Sequence, residues 1–299
     1  MTQLIDALFS TRALELAKPD QAFWYTSGSF GPFYINTHYL YGSAAEAEGL
    51  LGDIEHGLKS MPSFYDRILT KVRAQLAEST IYKKTIDQAA ESIEAAFDLS
   101  RIDVISGGER RDFFFSIALA DVLAKPHLSI RKDGTTYLHP NKNTAEWGGT
   151  LLEDSNSFCI AQANLENKKV LHVADIVNLA SSWIDRWLPA VEKCGSRINY
   201  GFAILDRCQG GLDTLAEAGV DVCVIERTDK DFFAAALEAD MLTEEQAGQA
   251  VNFLKNPSFY EREFLRLHPD FLEKEISTKG RNAERALLYL KKHKRLSAQ

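Results

Sequence analysis

The sequence predicts an α/β protein: a mostly parallel sheet flanked by helices, with an N-terminal hood segment, a helical insertion and a C-terminal helical extension. Three observations carry that expectation. From residue 102 onward, five short apolar runs alternate with three helix-length stretches and one polar loop, the texture of strands laid parallel and covered on both faces. Four of those runs end in glycine, acid or arginine, which are turn and ligand residues rather than core. The stretches 44–100 and 230–299 are rich in Ala, Glu, Leu and Lys, with breaks near "SMPSF", "NPSF" and "HPD", and so read as helices.

In chain order, residues 1–18 read as an amphipathic helix. "QAFWYTSGSFGPFYIN" reads as a hairpin or two short strands, because Gly28, Gly31 and Pro32 interrupt its aromatic run. Residues 44–100 form two or three helices. The sheet then begins. "IDVISGG" is a strand and "DFFFSIALADVLA" a helix; "PHLSIRK" is a second strand. "TTYLHPNKNTAEWGG" is polar and turn-rich, hence a loop. "KKVLHVADIV" is the third strand, followed by the helix "SSWIDRWLPAVEKCG" with Gly195 as its stop. "INYGFAILD", "GGLDTLAEAG" and "VDVCVIE" are the fourth strand, a helix and the fifth strand. The chain divides as an α/β domain at 1–229, with its insertion at about 44–100, and an extension at 230–299 that ends in the basic "LKKHKRLSAQ", read as a solvated helix end.

Composition narrows the function classes. The 299 residues are 45% hydrophobic and 25% charged, ordinary for a globular protein with a sizeable core. A net charge of -8 argues against a broad nucleic-acid surface, while leaving room for a local basic pocket. No apolar run approaches the ~18 residues of a membrane span, and the first residues lack the basic start and apolar stretch of a signal peptide. Cys159, Cys194, Cys208 and Cys223 are widely spaced, without a CxxC pair, so buried thiols in a reducing, cytoplasmic setting are expected rather than disulfides or zinc.

Ligands of an open α/β sheet sit at the carboxyl ends of its strands. After the first strand stand Gly107, Gly108, Glu109, Arg110, Arg111 and Asp112. The glycines allow close backbone approach and the planar guanidinium groups suit phosphate oxygens; the bland reading is a helix start with Asp112 as N-cap and exposed arginines. Arg131 and Lys132 follow the second strand and lead into a polar loop that could act as a lid. "VLHVADIVNLASSW" delivers Asp175, Asn178, Ala180, Ser181 and Ser182 to a helix start, where backbone N–H groups can hold a phosphate. Asp175 can accept from ribose hydroxyls or reach Mg2+ through water; an ordinary capped helix is the alternative. Arg207 after the fourth strand can pair with a carboxylate or carbonyl. Trp183 and Trp187, four apart on a helix, read as core, and His172 as a satisfied, half-buried strand histidine. The "HPNK" stretch is open between a lid that brings His139 or Lys142 to the site and a plain surface turn.

In this order the chain resembles orotate phosphoribosyltransferase, a type I phosphoribosyltransferase. "WYTSGSFGPFYIN" is similar to that family's N-terminal substrate segment, "LAKPHLSIRK" to its strand ending in Arg-Lys, and "VLHVADIVNLASS" occupies the place of its diphosphate-sugar motif. "GFAILDRCQGGLDTLAEAGVDVCVI" resembles its Asp-Arg-Gln-x-Gly-Gly segment. The resemblance covers residues 20–43 and about 102–228. It implies transfer of ribose 5-phosphate from phosphoribosyl diphosphate (PRPP) to orotate or a related nucleobase, with Mg2+ and release of diphosphate, in a homodimer. It assigns Asp175 and Lys132 to catalysis. Arg110, Arg111, Arg131, Lys132, Asp175, Asn178, Ala180, Ser181 and Ser182 fall to PRPP and its phosphates, and Phe33, Tyr34 and Arg207 to the base.

The departures are specific. The family's first acid of an Asp-Asp pair is Ala174 here, its threonine is Asn178 and its glycine is Ala180. A lysine before Ser-Gly is Thr26, and the lid lysine and histidine are replaced across Asp133, Gly134, Thr135, Thr136 and Tyr137. A departing diphosphate needs cations, and each lost electrostatic contact costs on the order of 10²–10³ in rate. Arg110 and Arg111 are candidate replacements. Three readings stay open: a divergent transferase, a catalytically weak or inactive nucleotide- or PRPP-binding regulatory relative, and a structural partner subunit that uses the extension as its interface.

Overall fold

A computed structural model describes residues 3–140, 147–154 and 157–296. In chain order its elements are α1 (Gln3–Ser10), β1 (Leu14–Leu16), β2 (Phe23–Trp24), β3 (Phe30–Gly31), β4 (Phe33–Ile35), α2 (Ala44–Gly57), α3 (Met61–Glu78) and α4 (Thr80–Ala96). Then come β5 (Val104–Gly108), α5 (Phe113–Val122), β6 (His127–Ile130), β7 (Thr136–His139), β8 (Thr150–Asp154), β9 (Ser157–Ala161) and β10 (Lys169–Val177). They are followed by α6 (Leu188–Lys193), β11 (Arg197–Asp206), α7 (Gly211–Glu217) and β12 (Asp221–Arg227). The last helices are α8 (Lys230–Glu238), α9 (Glu244–Lys255), α10 (Pro257–Leu267), α11 (Phe271–Ser277) and α12 (Arg281–Leu296).

The described residues form two compact units. One holds Thr37–Thr228; the other joins Leu14–Asn36 to the helices after Thr228, and α1 divides between them. In the smaller unit β2 and β3 form the expected hairpin, with Trp24 opposite Phe30, and β4 pairs antiparallel with β1. Trp24, Phe30, Phe264, Phe271 and Tyr289 stack into its core. The helix expected over residues 1–18 is shorter. It stops at Ser10, Arg12 turns to φ 60°, and Leu14–Leu16 pairs along Phe33–Ile35. Pairing with a distant strand overrides the local helical pattern there.

The larger unit is built on an eight-stranded sheet in the order β12-β11-β10-β5-β6-β7-β9-β8. The first five are parallel, and the five expected strands are these five. Three antiparallel strands extend the β6 edge. The stretch read as a loop is corrected at its start, where Thr136–His139 pairs with β6; its residues 141–146 lie outside the described residues, and β8 and β9 after it pair antiparallel. These strands are only four or five residues long and mixed in composition, so they carry little periodic signal.

In chain order the parallel strands lie 2-1-3-4-5, with the reversal between β5 and β10. Crossovers are right-handed, so α5, leading from β5 to β6, and α6, leading from β10 to β11, cover opposite faces. The insertion supplies α3 and α4 to the α5 face, where α3 meets β9 and α4 meets β12. On the other face Trp183, Trp187, Val191 and Leu215 close over Val104, Leu128, Val170 and Ala203. Trp183 and Trp187 are core residues, as their spacing suggested.

Candidate functional site

The reversal leaves a crevice beyond the carboxyl ends of β5 and β10, the place where ligands bind in sheets of this order. β5 arrives there as Gly107-Gly108. A Cβ at Gly107 would lie 2.1 Å from Ser116 Oγ, and one at Gly108 2.4 Å from the Trp187 ring. Helix and tryptophan packing thus account for both glycines without a ligand.

Asp112 is the residue whose part the sequence concealed. It stands at the N-cap position of α5, but its backbone is αR and its side chain makes no cap hydrogen bond. Its carboxylate instead clasps the two strand ends: Oδ2 accepts from Gly108 N at 3.1 Å and Oδ1 from Asp175 N at 3.1 Å. Cap chemistry is legible locally, whereas a bond across 63 residues is not. Burial pushes the Asp112 carboxyl well above the ordinary value, and the Asp175 carboxylate adds to it. Burial also raises Asp175, opposed by the positive charge of Arg111.

Beneath this pair, His172 is fully buried rather than half-buried. Ser106 Oγ lies 2.9 Å from its Nδ1 and Asp112 Oδ2 lies 3.8 Å from its Nε2, while Trp183 packs edge-on at 4.4 Å. Burial lowers its pKa to about 3, so the ring is neutral at pH 7. Ala174, where the resemblance expects an acid, belongs to the apolar cluster with Val170, Trp183 and Trp187. An unpaired carboxylate there would carry a heavy desolvation cost.

The arginines separate. Arg110 is in an ion pair with Glu55 of α2. Arg111, half-buried, lies close enough to shift both Asp175 and His38. Burial and the positive charges of Arg111 and Arg110 hold His38 at about 3. Arg131 donates through Nη1 to Leu58 O at 2.9 Å and lies 3.5 Å from Glu109 Oε2. The same Glu109 oxygen accepts from Lys132 N at 3.3 Å, while the Lys132 side chain is exposed.

The turn after β10 has a different character. Asn178, Ser181 and Ser182 are exposed, and helix begins at Ser181. Ala180, in the glycine's place, adopts φ 58°, a left-handed conformation that costs a non-glycine residue roughly 1–2 kcal/mol. A Cβ at Gly211 would lie 2.4 Å from Asn178 O, so the glycine at the start of α7 lets that helix seat against the turn. Arg207 N donates to Val177 O at 2.9 Å, joining the end of β11 to the same place. Asp206 beside it is buried; it accepts from Cys208 N at 2.9 Å and Arg227 Nε at 3.2 Å.

Phe33 and Tyr34 belong to the other unit. Phe33 is completely buried against Phe233 and Phe253, and Tyr34 packs with Phe23 and Tyr25. His139 is not on a lid: it lies in β7, buried and stacked on Tyr65 at 4.8 Å. Lys142 lies outside the described residues.

Among the described residues no group of three or more His, Cys, Asp and Glu is arranged to hold a metal. Both Asp112 oxygens already accept from backbone, and Glu55 and Glu109 are engaged with Arg110 and Arg131, so Asp175 is the carboxylate considered for a metal. One carboxylate fits Mg2+ that arrives on a ligand's phosphates and keeps most of its waters. No helix of the described chain is long and apolar enough to cross a membrane.

No protein-family model matches the sequence, and no curated protein matches it. Solved structures do. Leishmania donovani UMP synthase superposes with a TM-score of 0.53 at 14% identity, over 85% of this chain and 42% of that one. An orotate phosphoribosyltransferase from Francisella tularensis superposes with a TM-score of 0.53 at 15% identity, over 85% of this chain and 98% of that one. This chain therefore spans less than half of the UMP synthase chain. At such identities the likeness establishes the fold: the chain has the type I phosphoribosyltransferase fold.

Proposed function

We propose that this chain is a phosphoribosyltransferase-like protein that binds PRPP at the β5/β10 crevice and transfers its ribose 5-phosphate to orotate or a related nucleobase, releasing diphosphate. The observation that carries the reading is the turn after β10. It retains a glycine-type backbone at Ala180 although the glycine is gone, and it stands beside Asp175 and Arg111. Backbone strain of this kind persists where the surroundings hold it in place, and it concentrates at ligand sites.

In this reading the exposed N–H groups and hydroxyls of Asn178, Ser181 and Ser182 hold the 5-phosphate. Asp175 accepts from ribose hydroxyls and stabilises positive charge that develops on the sugar. Arg111, with Lys132 reaching in from the end of β6, neutralises charge on the departing diphosphate. Arg207 pairs with the base. Mg2+, when bound with PRPP, would add charge neutralisation at the diphosphate, with Asp175 contacting it through water. A homodimer and the division into a 1–229 domain and a 230–299 extension are part of the same proposal.

A second reading is a relative that binds PRPP or a nucleotide and regulates without turnover. The ion pairs of Arg110 and Arg131, and the apolar surroundings of Ala174, favour it. Isothermal titration with PRPP, with and without Mg2+, followed by orotate-dependent diphosphate release, separates the two. Binding with release establishes the transferase. Binding without release, across orotate and the common bases, leaves the regulatory relative, and no binding sinks both.

A further inference from the structure

Around the ends of β5, β6 and β10 stand four cations, Arg110, Arg111, Arg131 and Lys132. Three of the chain's own carboxylates already occupy donors there. Glu55 holds Arg110, and Glu109 holds both Arg131 and the Lys132 amide. Asp112 holds the Gly108 amide. These are the bonds that oxygens of a bound anion would otherwise make: guanidinium forks and backbone N–H groups at strand ends. The two glutamates differ in setting. The Glu55 side chain is 49% exposed on the inserted helix α2, whereas that of Glu109 is 12% exposed. Between exposed groups such a pair contributes little to stability, so a multiply charged ligand can displace Glu55. Glu109, more enclosed and with two partners, yields less readily.

We propose that Glu55 and Glu109 are specificity-determining residues that occupy this anion cradle from within, so that a free diphosphate binds only by displacing them. The inference rests on the reading of the crevice as an anion site. It adds what that reading lacks: the insertion takes part in the site, and the ligand's charge decides whether the cradle opens. A singly charged anion leaves the ion pairs in place. A diphosphate, which can engage Arg110, Arg131 and Arg111 together, replaces both carboxylates. Because both contacts are ionic, added salt loosens them along with the ligand's own.

The test is isothermal titration of the full chain with inorganic diphosphate and, separately, with PRPP and Mg2+. The proteins are the unsubstituted chain, Glu55→Gln, Glu109→Gln, the double variant, and Glu91→Gln as a control that removes one exposed negative charge from α4, outside the site. The expected result is a gain in diphosphate affinity of about fivefold for each glutamine and tenfold or more for the double variant, with no change for Glu91→Gln. Arg110→Ala should cancel the gain from Glu55→Gln. If the unsubstituted chain binds diphosphate and neither glutamine variant exceeds the control, the internal occupancy is refuted while the anion site stands. If no variant binds diphosphate or PRPP, the anion site itself falls and the inference with it. Glu55→Gln alters an exposed group and keeps the test valid if Glu109→Gln fails to fold.

Discussion

After β10 the chain holds Ala180 in a left-handed backbone at φ 58°, with Asn178, Ser181 and Ser182 open to solvent. After β5 and β6 it carries three arginines and ties two of them to its own acids, Arg110 to Glu55 and Arg131 to Glu109. The two sides of one crevice are thus built differently. One is marked by its backbone shape, the other by the acids that pair with its cations. Backbone geometry is set by many neighbours at once, here β11 through Arg207 N and α7 through Gly211, so it depends on more than the residues of the turn itself. A surface cation's partner is settled by whichever acid a nearby helix presents.

Acid should break both sides at once, and with the largest effect. His172 lies beneath the pair that joins the strand ends, His38 beside the arginines, and His139 under α3; burial lowers all three to about 3. A depressed pKa means that the unfolded chain takes up protons first, so stability is intact above pH 6.5 and falls as the pH drops towards 3. At pH 4.5 each imidazole costs about 3 kcal/mol. Asp112 and Asp175, raised by burial, act in the other direction and favour the folded chain as the pH falls towards 3.8. Urea unfolding at pH 7.5 and 4.5 should show a net loss of several kcal/mol; equal midpoints would refute the neutral, buried imidazoles.

A matched pair of glycine substitutions separates the two sides. Gly108→Ala drives a methyl into the Trp187 ring and to 2.8 Å from Asp112 Oδ2, and should cost about 3 kcal/mol by overpacking. Gly211→Ala presses on Asn178 O and should cost about 2 kcal/mol, while displacing the β10 turn alone. PRPP affinity should fall at least tenfold in Gly211→Ala. Unchanged affinity in a folded Gly211→Ala protein would remove the β10 turn from the site.

The smallest effect is the sharpest probe of the retained backbone. Ala180→Gly relieves roughly 1–2 kcal/mol of left-handed strain, but it forfeits about 0.8 kcal/mol for a buried methyl and about 0.5–1 kcal/mol through the freer unfolded chain. Chemical denaturation should therefore place it within about 1 kcal/mol of the unsubstituted protein, and Ala180→Val more than 2 kcal/mol below. A valine tolerated without loss would mean that the turn does not hold its left-handed residue.

Much of the architecture was legible. The five parallel strands, the hairpin at Trp24–Phe30 and the break before α3 follow from apolar runs and from glycine and proline positions, which are local signals. Strands β7 to β9 were not legible, because strands of four or five residues with mixed composition lack a clean period. Of the residues read as ligand-binding, Arg111 lies near Asp175, and the β10 turn follows Asp175 at the reversal. Asp112 read as a helix cap because capping is the commoner use of an aspartate before an apolar run. Phe33 read as a pocket wall, yet it is sealed among aromatic side chains that come from α8 and α9, about 200 residues away.

By itself, then, the sequence determined the alternation of strands and helices, and hence a parallel sheet with charged turns at one end. Period and punctuation act over a few residues and survive wide divergence. Only the tertiary structure decided which charge meets which: Arg110 with Glu55, Arg131 with Glu109, Asp112 with the amides of Gly108 and Asp175. The two ion pairs and the Asp112–Asp175 bond join residues that are tens of positions apart, and they leave no periodic trace in the chain. The sheet order brought these groups within reach, and their chemistry then follows from the neighbours they acquired.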